Sequence, residues 1–538
     1  MSATKILWGQ VITVFLIVLA AIWAATQWTA AALAYQSELG APWFVAFDWP
    51  VYVVPADKID VIAASLRRAF DAGPNGAPAH QFGALVMLKD RYGNAASTNS
   101  SAALARYNAA LDLIRTYRGD PVALLDEALA EDPDFGGAWA ARAGLLVQQT
   151  DKAYLGEAVR SVRAGRVAAL NDRDRIHLQA AQDWIDGRFR QGTARLGLLA
   201  REQPRDLLAL QYAHVGCFYL GMQHELRDWP LQAMRAYAPG EDGRSYVLGM
   251  AAFGLEECGD YARADQYGRE AVEHDPRDGW SVHAVAHVNE MRGDLDAGIP
   301  WLADNAAHWA PESGFAYHNW WHLALLYLDL GDTAQVLRLY DEKVRPDPDA
   351  QFVLEWIDAS ALLWRLKLEG VELGDRFTSL AACWERAAED GIYAFNDFHA
   401  VMAFLGAGRM ADVDRTLRGM RRAAGEAGDN GDMSRTVGLP LAEALVAFET
   451  GRYAECVETI ASVRGIAQRF GGSHAQRDIL SLTALHAALR AGMAGPAQSF
   501  AAERLAHKPR SPWAQRLGDR AASQNNQMRG AESRLEKA

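Results

Sequence analysis

The 538-residue sequence has only four cysteines, at 217, 258, 383 and 456, widely separated and with no CxxC among them. That spacing gives neither a cysteine zinc site nor a disulfide framework, so the four read as small buried hydrophobes. Several catalytic signatures are also missing. There is no GxxxxGK[ST] phosphate loop, no GxSxG elbow, no GxGxxG after a strand and no HExxH. Nor is there a cysteine in a recognisable nucleophile context. Lysine and asparagine do not fall at the spacing that a carboxylate clamp for a chaperone tail needs. Basic charge is scarce as well: Lys and Arg number 54 against 67 Asp and Glu, a net charge of −13. That balance argues against a nucleic-acid partner. Strand-like alternation is absent, and the length exceeds one ordinary compact domain.

Charge is missing altogether from Ile6 to Ser37, and Val11–Ala25 is almost wholly apolar. About 20 such residues span a bilayer, so one N-terminal transmembrane helix is expected, with Trp23 and Trp28 near an interface. Lys5 precedes the span and Glu38 and Asp48 follow it, which favours the N-terminus inside and the body outside. A cleaved signal peptide competes, since Ala32-Leu33-Ala34 fits the small-x-small rule. The stretch KILWGQVITVFLIVLAAIWAATQWTAAALAYQSELGAPWF with the later WPVY resembles the membrane anchor of type IV coupling proteins of conjugal transfer. The likeness covers only residues 1–52, which reads as a leader fused to an unrelated body, or as a misplaced start. The protein is then single-pass and anchored in the bacterial inner membrane; without the leader it is cytoplasmic. Residues 53–99, with Gly73-Pro74-Asn75-Gly76, read as a junction and linker.

From about residue 100 the chain repeats one pattern. Its clearest copy, Tyr246–Pro276, holds a helix, a Gly-Asp turn, a Tyr-Ala pair opening a second helix, and a closing Asp-Pro. The turn recurs at Gly187-Arg188, Gly259-Asp260, Gly293-Asp294, Gly331-Asp332, Gly408-Arg409 and Gly451-Arg452. Steps of 34 and 38 residues from Gly259 bracket the tetratricopeptide period. The expected fold is all-α: a tetratricopeptide-like solenoid over 100–515, then a polar tail over 516–538.

The polar residues that stand out are histidines. His283 and His287 lie at i,i+4, as do His318 and His322, so each pair projects from one helix face. His214 and His399 fall in equivalent first helices, with Asn319, Asn396 and Asp397 beside these motifs. Consecutive first helices lie side by side, so the rings are expected to converge in one concave groove. Paired i,i+4 histidines can present ligands to one divalent metal, with His283, His287, His318 and His322 as the candidates. The plain alternative is that each ring hydrogen-bonds a neighbouring helix. Further along, Gly471-Gly472-Ser473 makes a turn and helix cap before His474, Gln476, Arg477 and Asp478. Arg477 offers a fork suited to a carboxylate or phosphate, or else joins Asp478 in an internal network. Arg227 and Asp228 read as a structural ion pair. Glu256 and Glu257 precede the Gly259 turn, where one faces the groove or both form a solvated face.

WSVHAVAHVNEM, YHNWWHLALLYLDLGD, YAFNDFHAVMAFLG, VGLPLAEAL, GGSHAQRDIL, FYLGMQHELRD and STNSSAALARYNAALD together resemble the tetratricopeptide repeat protein 38 family over residues 89–520. The resemblance implies a helical solenoid and a candidate site, and no particular reaction. Thr436 stands where that family commonly has aspartate. Three functions compete. One is a solenoid binding a small polar ligand or peptide end through His214, His283, His318, Asn319, Asn396, Gln476, Arg477 and Asp478. Another is a hydrolase or lyase in which His287, His322 or His399, with Asp397, serves as general base, or a histidine-bound metal activates water. The third is a membrane-tethered protein–protein adaptor.

Overall fold

Each Gly-Asp dipeptide ends one helix and begins the next. Gly259, Gly293 and Gly331 take left-handed φ values of 80°, 65° and 96°. The adjoining Asp260, Asp294 and Asp332 cap the second helix by accepting from the backbone N–H three residues on. In the Gly-Arg turns the arginine takes the cap position without a side-chain cap bond. All six turns lie between the two helices of one antiparallel pair.

The computed structural model describes residues 44–46, 49–51 and 88–535 apart from Ala169, with side chains over 88–525. The transmembrane helix expected within 1–52 lies outside the described residues. Among the described residues no helix is long and apolar enough to cross a membrane. The chain divides into units 1–86 and 87–538. In the first, strands Phe44–Ala46 and Trp49–Val51 pair antiparallel, an addition to the all-α expectation.

The second unit is a run of helix pairs. First helices relevant to the site are Leu207–Leu220, Arg244–Glu257, Gly279–Arg292, Ala316–Leu330, Val353–Leu368, Ala394–Gly406 and His474–Arg490. Burial separates first helices from second ones. Arg244–Glu257 is buried at every position except its first, whereas in its partner Tyr261–His274 only Ala264, Gly268 and Ala271 are buried. The second helices form an outer layer with one apolar stripe, and the first helices form an inner layer covered on all sides.

The array winds so that repeats far apart in sequence touch. Arg386 pairs with Asp151 at 2.7 Å, Asn396 Nδ2 donates to the Thr150 carbonyl at 2.8 Å, and Tyr393 Oη donates to the Tyr219 carbonyl at 3.0 Å. Gly221 sits at such a crossing with φ 62°, and a Cβ there would overlap the Gln468 carbonyl oxygen. Gly221→Ala is expected to cost about 1–3 kcal/mol in a denaturant melt, since both the φ and the contact oppose a side chain.

Two boundaries differ from expectation. Residues 88–99 belong to the helical body: Tyr92 is buried, Asp90 accepts from the Tyr92 and Asn94 N–H groups, and Asn94 Nδ2 donates to the Arg205 carbonyl. A polar turn closed on itself reads in sequence like a linker. At the other end, Pro512–Leu535 is helical, and Trp513, Leu517 and Ala521 bury one face of what reads as a polar tail.

Candidate metal centre and adjoining cavity

The inner helices are largely buried, so most of the polar residues on them need a partner within the protein. Gly279–Arg292 and Ala316–Leu330 pack side by side, and each turns an i,i+4 histidine pair toward the other. His283, His287, His318 and His322 are all buried, with one potential ligand atom from each lying within 4.8 Å of all the others. His318 Nε2 stands 3.1 Å from His283 Nε2 and 3.3 Å from His322 Nε2.

Carboxylates set the tautomers. His318 Nδ1 donates to Asp358 Oδ2 at 2.6 Å, and His322 Nδ1 donates to Glu290 Oε2 at 2.8 Å. With Nδ1 donating to a carboxylate, each Nε2 is left to face the cluster, and the two lie 3.3 Å apart. Outer partners hold the carboxylates: Gln476 Nε2 lies 3.5 Å from Asp358, and Lys508 Nζ 3.3 Å from Glu290. Burial, reinforced by the other rings, drives His283 and His322 well below the usual imidazole range, so both are neutral at physiological pH.

His287 is placed differently. Its Nδ1 lies 3.3 Å from Glu256 Oε2 without forming a hydrogen bond, and neither of its ring nitrogens has a partner. Burial pushes the Glu256 carboxyl up, yet His287 and His474 more than offset this and hold it at about 2.

The other expected residues have separate places. His214 sits behind the cluster with its ring 5.5 Å from Trp280 and 5.9 Å from Phe253, and burial pushes it to about 3. Asn319 Nδ2 donates to the Gly279 carbonyl. Arg477 and Asp478 do not pair with each other: Arg477 reaches Glu257 at 3.2 Å and Asp478 takes Arg504 at 2.6 Å.

His399 and Asp397 do not join the four rings. Val353–Leu368 lies between their helix and Ala316–Leu330, so an equal distance from the turn gives an equal height but not adjacency. His399 Nδ1 donates to the Phe395 carbonyl at 2.7 Å, and burial pushes the ring to about 3. Burial, reinforced by Asp390, pushes Asp397 to about 8. A carboxyl raised in this way favours the folded state at low pH, and that advantage is lost as pH rises through 8. Between pH 5 and 8 this group is expected to cost about 1.4 kcal/mol per pH unit. Denaturant melts across that range should show Asp397→Asn removing that part of the slope.

The pocket is also less polar than expected. A cavity of about 430 Å³ meets the cluster, and His283, His318 and Asp358 form one wall. Tyr117, Tyr219, Trp280, Phe315, Tyr317 and Phe395 supply much of the rest. Gln211, which also lines it, already donates to the Ile114 carbonyl.

No family model matches the chain. A chain of the APC/C hetero-tetramer Cut9–Hcn1 is similar at 13% identity and a TM-score of 0.37, with 78% of this chain and 76% of that one covered. Yeast Tom70 is similar at 11% identity and a TM-score of 0.32, with 80% and 88% covered. The stacked antiparallel helix pairs and the capped glycine turns that join them make the described body of this chain a helical-repeat array.

Proposed function

We propose that His283, His287, His318 and His322 hold a transition-metal ion, and that the adjoining cavity takes a small, largely apolar ligand beside it. The observation that carries this reading is the His318–His322 contact. Their Nδ1 atoms are held by Asp358 and Glu290, which turns the two Nε2 atoms toward each other at 3.3 Å, with His283 Nε2 3.1 Å from that of His318. A cation between them would be coordinated by nitrogens already aimed at one point. Metal-bound histidines commonly pass their other N–H to a carboxylate, the arrangement seen at His318 and His322. Four imidazole ligands suit zinc, copper, iron or nickel, and magnesium or calcium poorly.

Hydrolase or lyase chemistry at the ion is the second reading, favoured because two of the four rings line the cavity. The resemblance to the tetratricopeptide repeat protein 38 family fits either reading, and so does membrane attachment through residues 1–52.

Elemental analysis of the purified full-length chain tests the proposal. At least one equivalent of a transition metal should survive dialysis, and removing it with a chelator should lower the melting temperature. At free metal of 100 Kd, the stabilisation is about 2.7 kcal/mol. A chain that retains no metal, and whose melting ignores added zinc or cobalt, would refute it.

A further inference from the structure

The four-histidine centre does not account for the polar atoms on the far side of His287. Glu256 is fully buried, and its carboxylate oxygens have no aligned hydrogen bond, only the ion-pair contacts of His287 at 3.3 Å and His474 at 3.9 Å. His287, also fully buried, has no hydrogen-bond partner on either nitrogen. His474 Nδ1, likewise without a hydrogen bond, points the same way, 3.9 Å from Glu256 and 3.8 Å from Glu257. Leaving so many buried polar atoms unmatched at one point is costly for a fold.

We infer that Glu256, His287 and His474, with Glu257 beside them, form a second transition-metal site that shares His287 with the first. The inference rests on the four-histidine reading. Glu256, Glu257 and His287 each offer a ligand atom within 4.8 Å of the others, with His287 common to both clusters, and His474 Nδ1 stands just outside this trio, 3.9 Å from Glu256 and 3.8 Å from Glu257. The contrast with the neighbouring rings is geometric. Asp358 and Glu290 receive aligned hydrogen bonds of 2.6 and 2.8 Å, whereas Glu256 stands 3.3 Å from His287 with no such bond. Glu256 is therefore placed as a ligand, and Asp358 and Glu290 as supports.

Glu257 is more restrained, since it accepts from the His474 backbone N–H at 2.7 Å and pairs with Arg477 at 3.2 Å. That pairing offsets one of the two negative charges. Two imidazoles and one or two carboxylates suit zinc, iron or manganese. An ion held by His287 Nδ1 would displace any proton on that nitrogen to solvent, and the ring would then be shared by the two sites. His474 and Arg477 line a crevice of about 610 Å³ on this side, and the His474 side chain is 32% exposed.

Metal counting on the full-length chain separates the possibilities. Metal-free protein is loaded with copper(II), passed over a desalting column, and its copper content measured. Two equivalents per chain are expected for the wild type, with an electron paramagnetic resonance signal weaker than that of two independent ions because the shared ring couples them. Glu256→Gln and His474→Ala are each expected to retain one equivalent with an uncoupled signal. One equivalent in the wild type overturns this inference and leaves the four-histidine centre standing. No bound copper overturns both. Two uncoupled equivalents, or two retained by both variants, overturn the assignment of these residues. The wild-type count decides the matter even where a variant fails to fold.

Discussion

His322→Ala is expected to lower the affinity for a transition metal by more than about 100-fold, because it removes a ligand, and losing even an outer carboxylate partner costs 10–100-fold. The ring is buried, so nothing nearby replaces it. The same change affects folding. Glu290 loses the His322 N–H and keeps Lys508 at 3.3 Å, so metal-free stability should fall by about 1–3 kcal/mol. In the proposed centre the ring is both ligand and structural pin, two roles that the sequence presents as alternatives. Competition with a chromophoric chelator measures the first effect, and urea melts of metal-free protein the second. Equal metal affinities for variant and wild type would assign the ring to structure alone.

Asp358→Asn should produce the second-largest loss, about 10–100-fold in metal affinity with all four histidines intact. The carboxylate fixes the proton of His318 on Nδ1 and strengthens Nε2 as a donor to the ion. An amide in its place either presents its N–H₂ to Nδ1 or accepts far more weakly. Gln476→Ala lies one step further out, where its amide meets Asp358 at 3.5 Å, and it should cost less than Asp358→Asn. The order His322→Ala, Asp358→Asn, Gln476→Ala tracks distance from the proposed ion. A polar core serving only stability has no reason to reproduce that order in metal affinity.

The architecture was legible in the sequence because its punctuation is local. Gly293 needs a left-handed φ and Asp294 caps the next helix, so both residues announce the turn. The i,i+4 pairs were legible for the same reason: on one helix, spacing alone fixes a shared face. Glu290 could have been found in this way, since it lies three residues after His287 and seven after His283. Asp358 could not, because it comes from an inner helix without a histidine and meets His318 only through tertiary packing. The reach of His474 to Glu256 spans over 200 residues and is equally invisible locally. His399 shows the opposite error, because an equivalent position along a helix does not imply neighbourhood across helices. The aromatic cavity was hidden because its walls come from repeats far apart in sequence, from Tyr117 to Phe395.

X-ray absorption at the edge of the bound metal, on full-length protein loaded with one equivalent of zinc, tests the central claim most directly. The account predicts a shell of imidazole nitrogens at about 2.0–2.1 Å with no sulfur, and its loss in a variant with alanine at 283, 287, 318 and 322. A sulfur shell, an all-oxygen shell, or an identical spectrum from that variant would contradict it.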